Sequence, residues 1–137
     1  MKNQKSVRTF STLALLAIIS YLPLSASAQL ETLLQQPLMS VDNSQFTLLR
    51  ITLPPLTGNN DSANGHRHPV DTIVYVESGT VTNQMNDEAV KTYKAGESWV
   101  ENPGDLHAQF RNNDPDIPAV VIVFMLTEPG DPLTSRD

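Results

Sequence analysis

Residues 66–85 read HRHPVDTIVYVESGTVTNQM, in which two histidines precede two runs rich in β-branched side chains. Such runs, bounded by Gly, Pro, Asn or Asp, are typical of short β-strands. On a strand, residues i and i+2 point to the same face about 7 Å apart, so His66 and His68 can converge on one metal ion. The stretch therefore predicts β-structure that carries a candidate metal site.

The same pattern of short strands continues on both sides of this stretch. Strands are predicted at 45–53, 66–68, 72–77, 80–85, 90–93, 97–101, 107–111 and 119–126. Glu77-Ser78-Gly79 predicts a tight hairpin, and Asn86-Asp87-Glu88 predicts the tip of another. The apolar run 120–126 predicts a strand that is buried on both faces, in the middle of the core. The chain is therefore expected to fold as an all-β barrel or sandwich over residues 45–126.

The segments outside this domain have other expectations. Residues 29–44 form an N-terminal leader, with a short helix around Glu31 to Gln36 that Pro37 ends. Residues 58–65 are polar and turn-rich and predict a loop at the mouth of the barrel. Residues 127–137 form a C-terminal tail that is expected to be irregular.

The first 28 residues have the layout of a secretory signal peptide. A basic start is followed by an apolar stretch over residues 10–24 and by the small-residue exit Ala26-Ser27-Ala28. The apolar stretch is shorter than the roughly 20 residues of a membrane-spanning helix. We therefore expect cleavage after Ala28 and export to the periplasm or the cell exterior as a secreted protein, with no membrane anchor left after cleavage.

Composition limits what the remaining 109 residues can be. Their length suits one domain. They hold six Lys and Arg against 15 Asp and Glu, a net charge of −9, which argues against a nucleic-acid or anionic-membrane partner. Cysteine is absent, so stability has to come from the core, from a metal or from a homodimer formed through an exposed barrel edge.

His107 is the only histidine besides the first pair. It follows the turn Asn102-Pro103-Gly104-Asp105 and begins a predicted strand, so it is the natural third ligand. Neutral imidazoles suit Fe, Zn, Mn or Ni without selecting one of them. Spacing alone also allows three ordinary histidines with no metal.

The surroundings of these histidines resemble the two motifs of the cupin family. His66, His68 and Gly79 match the first motif, and Gly96, Gly104 and His107 match the second. The resemblance covers roughly residues 45–126. It implies a single-domain cupin-like β-barrel (jelly roll) and a divalent transition metal, Fe, Zn, Mn or Ni, bound by His66, His68 and His107.

The chain departs from the family at the fourth ligand. Thr72 occupies the position of the motif glutamate, so the resemblance implies a centre of three histidines without a carboxylate. Asp71 is adjacent, but a carboxylate one residue away faces the other side of a strand unless a β-bulge intervenes. Thr72→Glu is expected to restore the family's ligand set and tighten metal binding.

Glu101 is the candidate general base, because it lies just before the turn that leads to His107. The alternative is a solvated carboxylate at a strand end. Trp99 shares a face with Glu101 on a regular strand and could line a pocket or belong to the core.

Two functions stay open at this point. A module that binds a small molecule or a metal is favoured by the missing glutamate. A metal-dependent enzyme on a small organic molecule, of the dioxygenase type, is favoured by open coordination positions.

Overall fold

A computed structural model describes residues 27–136. Most of the expected signal peptide, residues 1–26, lies outside this range. No helix of the described range is both long and apolar enough to cross a bilayer. A 3₁₀ turn spans Ser62–Asn64, and the strands are β1 (Gln29–Pro37), β2 (Gln45–Leu53), β3 (Gly58–Asn59), β4 (His66–Arg67), β5 (Thr72–Ser78), β6 (Thr80–Met85), β7 (Lys91–Lys94), β8 (Ser98–Glu101), β9 (Leu106–Arg111) and β10 (Ala119–Thr127).

The strands form two antiparallel sheets. One sheet has the order β1-β2-β10-β5-β8, and the other has the order β3-β9-β6-β7, with β4 also paired to β9. One hydrophobic core contains side chains from both sheets. The all-β fold that the sequence predicts, with two sheets around one core, is therefore confirmed.

β10 lies in the centre of the first sheet, as its apolar sequence predicts. Its inward side chains Val121, Val123 and Met125 are buried with Val74 and Val76 of β5. Burial of one such side chain contributes about 1.5–3 kcal/mol. The outer face is only partly covered, because Leu126 is 44% exposed, so burial on both faces was an overestimate.

The predicted helix in the N-terminal leader is wrong. Residues 29–37 form β1, which pairs with β2 from Gln29↔Thr52 to Pro37↔Gln45 and is exposed along its whole length. A helix of two turns is too short to be stable alone. The edge of β2 instead offers a full row of backbone hydrogen-bond partners.

The two predicted turns have different outcomes. β6 and β7 form the hairpin predicted around residues 86–88, with Asn86 at a positive φ of 49°. The hairpin predicted at Gly79 is wrong, because β5 and β6 belong to different sheets. Gly79, with φ of 74°, turns the chain from one sheet to the other, and a Cβ there would lie 2.8 Å from the Cα of Ala119.

Candidate metal centre

The pairing of β4 with β9 brings the three histidines together. His66 lies directly opposite His107 in the register of this pair. Gly104 forms the turn before β9, and its N–H donates to the carbonyl oxygen of His68 at 2.9 Å. Arg67 points away from the cluster, as expected, and donates to the carbonyl oxygen of Gly104 at 2.7 Å. These bonds fix the two histidine-bearing segments against each other.

The histidine nitrogens have separations that fit one metal ion. The Nε2 atoms of His66 and His68 lie 3.1 Å apart, and the ligand atoms of all three residues lie within 4.8 Å of one another. Two nitrogens that are each about 2.1 Å from the same ion can be at most about 4.2 Å apart. The first pair already meets this limit, and a pair at 4.8 Å would have to close by at least about 0.6 Å.

The ring of His68 is oriented by the C-terminal tail. Its Nδ1 lies 2.7 Å from the carbonyl oxygen of Leu133. A carbonyl only accepts, so this nitrogen carries the proton, and in the neutral ring Nε2 presents a lone pair to the cluster. Sequence reasoning missed Leu133 because a backbone carbonyl leaves no signature in the residue type.

The tail was expected to be irregular, yet it is anchored beside the site. Arg67 and Ser135 exchange two backbone hydrogen bonds of 2.9 Å each. Leu133 packs against the core, and Arg136 reaches the same cavity as the histidines. The tail is therefore part of the site.

Glu101 is buried next to the histidines, so the alternative of a solvated carboxylate is wrong. Its side chain is 2% exposed, and its Oε1 accepts a hydrogen bond of 2.9 Å from Nε1 of Trp99. The Nδ1 of His107 lies 3.2 Å from Oε1, and the Nε2 of His68 lies 3.4 Å from Oε2. Trp99 therefore belongs to the core and also donates a hydrogen bond to the carboxylate.

Electrostatics favour an anionic Glu101 and a neutral His66. Burial alone would raise the pKa of Glu101, but the close His107 imidazole, the Trp99 N–H and His68 together lower it below its ordinary value. Burial, followed by the charges of His107 and His68, lowers the pKa of His66 from 6.5 to about 4. His66 is therefore neutral at pH 7, as a metal ligand has to be.

The two residues considered for the fourth ligand do not supply it. Thr72 is buried, but its hydroxyl donates to the carbonyl oxygen of Val70 at 3.2 Å. Asp71 is exposed and lies outside the histidine cluster, so the bulge that would turn it inward is not formed.

A cavity of about 400 Å³ adjoins the cluster. The three histidines and Glu101 line it together with Arg136, and most of the remaining lining is apolar, as at Leu49, Val74 and Phe110. A concave apolar cavity with a few convergent polar groups is the usual form of a small-molecule site. The arrangement can hold an ion and an organic ligand side by side.

Solved structures share this fold. An uncharacterized conserved protein with a double-stranded β-helix domain from Klebsiella pneumoniae aligns with a TM-score of 0.57 at 19% identity, over 82% of this chain and 86% of that one. An RmlC-like cupin family protein from Methanocaldococcus jannaschii aligns with a TM-score of 0.57 at 14% identity, over 80% and 88%. The DMSP lyase DddQ from Ruegeria pomeroyi aligns with a TM-score of 0.53 at 14% identity, over 66% of this chain but 42% of that one. At these identities the likeness shows the fold alone.

The sequence comparison identifies the family. Among curated proteins, none matches the sequence. The profile of the cupin domain family matches residues 56–125, which is half of the chain and includes the three histidines and Glu101. The chain therefore belongs to the cupin family.

Proposed function

We propose that this protein binds a divalent transition-metal ion through His66, His68 and His107, and holds a small organic anion beside it. The observation that carries the proposal is the cavity of about 400 Å³ that has the histidine cluster and Arg136 in its lining. Neutral imidazoles suit Fe, Zn, Mn or Ni. A bound ion would act there as a Lewis acid toward an oxygen atom of the ligand.

The lining indicates the chemical class of the ligand. Leu49, Val74 and Phe110 favour an apolar body, whereas the guanidinium of Arg136 favours a carboxylate, with which it can form paired hydrogen bonds. The volume lies near the lower end of the roughly 300–1,000 Å³ found for ligand sites. A short aliphatic or aromatic acid meets these conditions.

Replacing Arg136 tests the ligand class. In zinc-loaded protein, Arg136→Ala is expected to weaken benzoate binding about tenfold, because a charge-assisted hydrogen bond contributes roughly 1.5–3 kcal/mol. Arg136→Lys should keep part of the affinity because it keeps the charge. Isothermal titration calorimetry at pH 7.5 measures the difference.

Arg50→Ala is the matched control for this experiment. Arg50 forms ion pairs with Glu31 and Glu77, away from the cavity, so its loss should leave benzoate binding unchanged. Equal affinity of Arg136→Ala and the unchanged protein would contradict the proposed ligand class. Equal affinity with and without zinc would show that the ion does not contact the ligand.

A metal-dependent enzyme of the dioxygenase type, acting on a small organic molecule, is the second candidate. It is favoured by the direct opening of the cavity onto the histidines, which would put substrate and ion in the same space. Oxygen uptake by iron-loaded protein with a panel of small aromatic and aliphatic acids distinguishes the two. Stoichiometric acid binding without oxygen uptake or acid turnover supports the binding module.

Export and dimerisation are part of the proposal. The N-terminal sequence pattern supports a periplasmic or secreted location, and an exported protein that begins at Gln29 would bear this out in N-terminal sequencing.

The exposed edge strand β1 supports a homodimer through a sheet edge. Light scattering of the mature protein checks the dimer.

A further inference from the structure

Strand β5 carries Thr72 in place of the motif glutamate. The neighbouring strand β8 carries a carboxylate, Glu101, that lines the cavity. Thr72, at that motif position, is the direct register partner of Glu101 across β5 and β8. Both side chains point inward and are buried, at 0% and 2% exposure. Glu101 therefore occupies the neighbourhood that a glutamate at position 72 would reach.

The two oxygens of Glu101 have different surroundings. Oε1 accepts from Trp99 and lies beside His107, whereas Oε2 is buried and receives no hydrogen bond. Oε2 lies 3.4 Å from the Nε2 of His68, the nitrogen that has no proton in the neutral ring. Two such acceptor atoms repel each other unless a cation lies between them.

Neutralisation of this oxygen by a basic side chain is not seen in the described part of the chain. Within residues 27–136, no lysine or arginine forms an ion pair with Glu101. A single proton could bridge Oε2 and His68, but it would leave the nitrogens of His107 without partners. A divalent ion satisfies the carboxylate and the three imidazoles together.

We propose that Oε2 of Glu101 is the fourth protein ligand of the metal, so that the carboxylate of this centre has moved across a strand pair from position 72 to position 101. The inference rests on the proposed metal site. The 3.4 Å between Oε2 and Nε2 of His68 is within the roughly 4.2 Å that two ligand atoms of one ion can span. Oε1 meanwhile holds the side chain in place through Trp99. This role replaces that of general base.

A carboxylate ligand at position 101 also reverses the expectation that Thr72→Glu tightens metal binding. A second carboxylate at position 72 would lie directly opposite the first in a buried site, where like charges repel. Thr72→Glu in the unchanged protein should therefore fail to tighten metal binding.

Glu101→Gln separates binding from positioning. Glutamine keeps an oxygen that can accept from Trp99 and removes the anionic Oε2, so a merely positioning Glu101 would tolerate it. If Glu101 is a ligand, Glu101→Gln should lower the Zn²⁺ affinity by at least about 10- to 100-fold. This is the range found even for residues that only orient ligands. Competition with a chelator at pH 7.5 gives the affinity, and the visible absorption of bound Co²⁺ should change with the donor set. Glu77→Gln, at an exposed carboxylate on β5, is the matched control.

A swap of the two paired residues provides the rescue. Thr72→Glu combined with Glu101→Thr returns the carboxylate to the motif position with the same atoms in the pair. It should recover Zn²⁺ affinity to within a few-fold, whereas Glu101→Thr alone should not. Far-UV circular dichroism verifies the fold of each variant.

The outcomes separate this inference from the proposed function. Unchanged Zn²⁺ affinity in Glu101→Gln, together with loss in His107→Ala, would overturn the fourth ligand and leave the histidine site intact. Unchanged affinity in both variants would overturn the metal site itself. If Glu101→Gln does not fold, a folded Glu101→Thr variant that keeps full Zn²⁺ affinity, beside loss in His107→Ala, overturns the fourth ligand.

Discussion

His107→Ala is expected to lower the affinity for Zn²⁺ by more than about a hundredfold, because loss of residues that only orient ligands already costs roughly 10- to 100-fold. The variant removes one imidazole and also the contact of 3.2 Å that His107 makes with Oε1 of Glu101. Metal content after dialysis and chelator competition measure the effect. A pH of 7.5 keeps proton competition small, since ordinary histidines titrate near about 6.5.

Two neighbours of the cluster serve as controls for His107→Ala. Thr72→Ala should change metal binding little, because its hydroxyl is bonded to the carbonyl oxygen of Val70. Asp71→Ala should also bind normally, because Asp71 is exposed. Full metal retention in His107→Ala would defeat the three-histidine site, and a large loss in Asp71→Ala would contradict the structure.

Trp99→Ala is expected to lower the free energy of unfolding by about 3–5 kcal/mol, the usual cost of removing a large core aromatic. Trp99 is 7% exposed, and its ring lies 4.6 Å from that of Tyr93 and 6.5 Å from that of Phe110, measured between centroids. The loss is a large fraction of the roughly 5–15 kcal/mol typical of a domain. Urea unfolding followed by circular dichroism measures it, since Trp99 is the only tryptophan.

Two substitutions calibrate the Trp99 result. Val100→Ala, at a side chain on the outer face of the same strand that is 55% exposed, should change stability by no more than about 0.5 kcal/mol. Trp99→Phe should retain most of the packing but remove the hydrogen bond to Glu101. If Trp99→Ala cost no more than Val100→Ala, the position of Trp99 in the core would be wrong.

Strand positions could be predicted from the sequence because side-chain alternation and turn residues are local signals. Residues 45–53 and 80–85 coincide with β2 and β6. β1 was not accessible, because its side chains are exposed on both faces and its strand conformation comes from the edge of β2. The crossover at Gly79 was also missed, since local sequence does not show which sheet a strand joins.

The candidate site also has one part that could be predicted from the sequence and one part that could not. The histidines could be predicted because their spacing places them on two motifs. The place of Glu101 could not, because its partnership with Thr72 depends on the register of two strands that are distant in sequence. For that reason only the adjacent Asp71 was considered as a substitute carboxylate.

The anchored tail has a practical consequence for producing the protein. Ser135 and Leu133 are bonded to β4 and to His68, so residues 133–135 lie beside the histidines. An affinity tag of histidines fused to this tail would lie close to the cluster and would compete for the same ion. Protein intended for metal or ligand measurements should therefore carry a tag that contains no histidines.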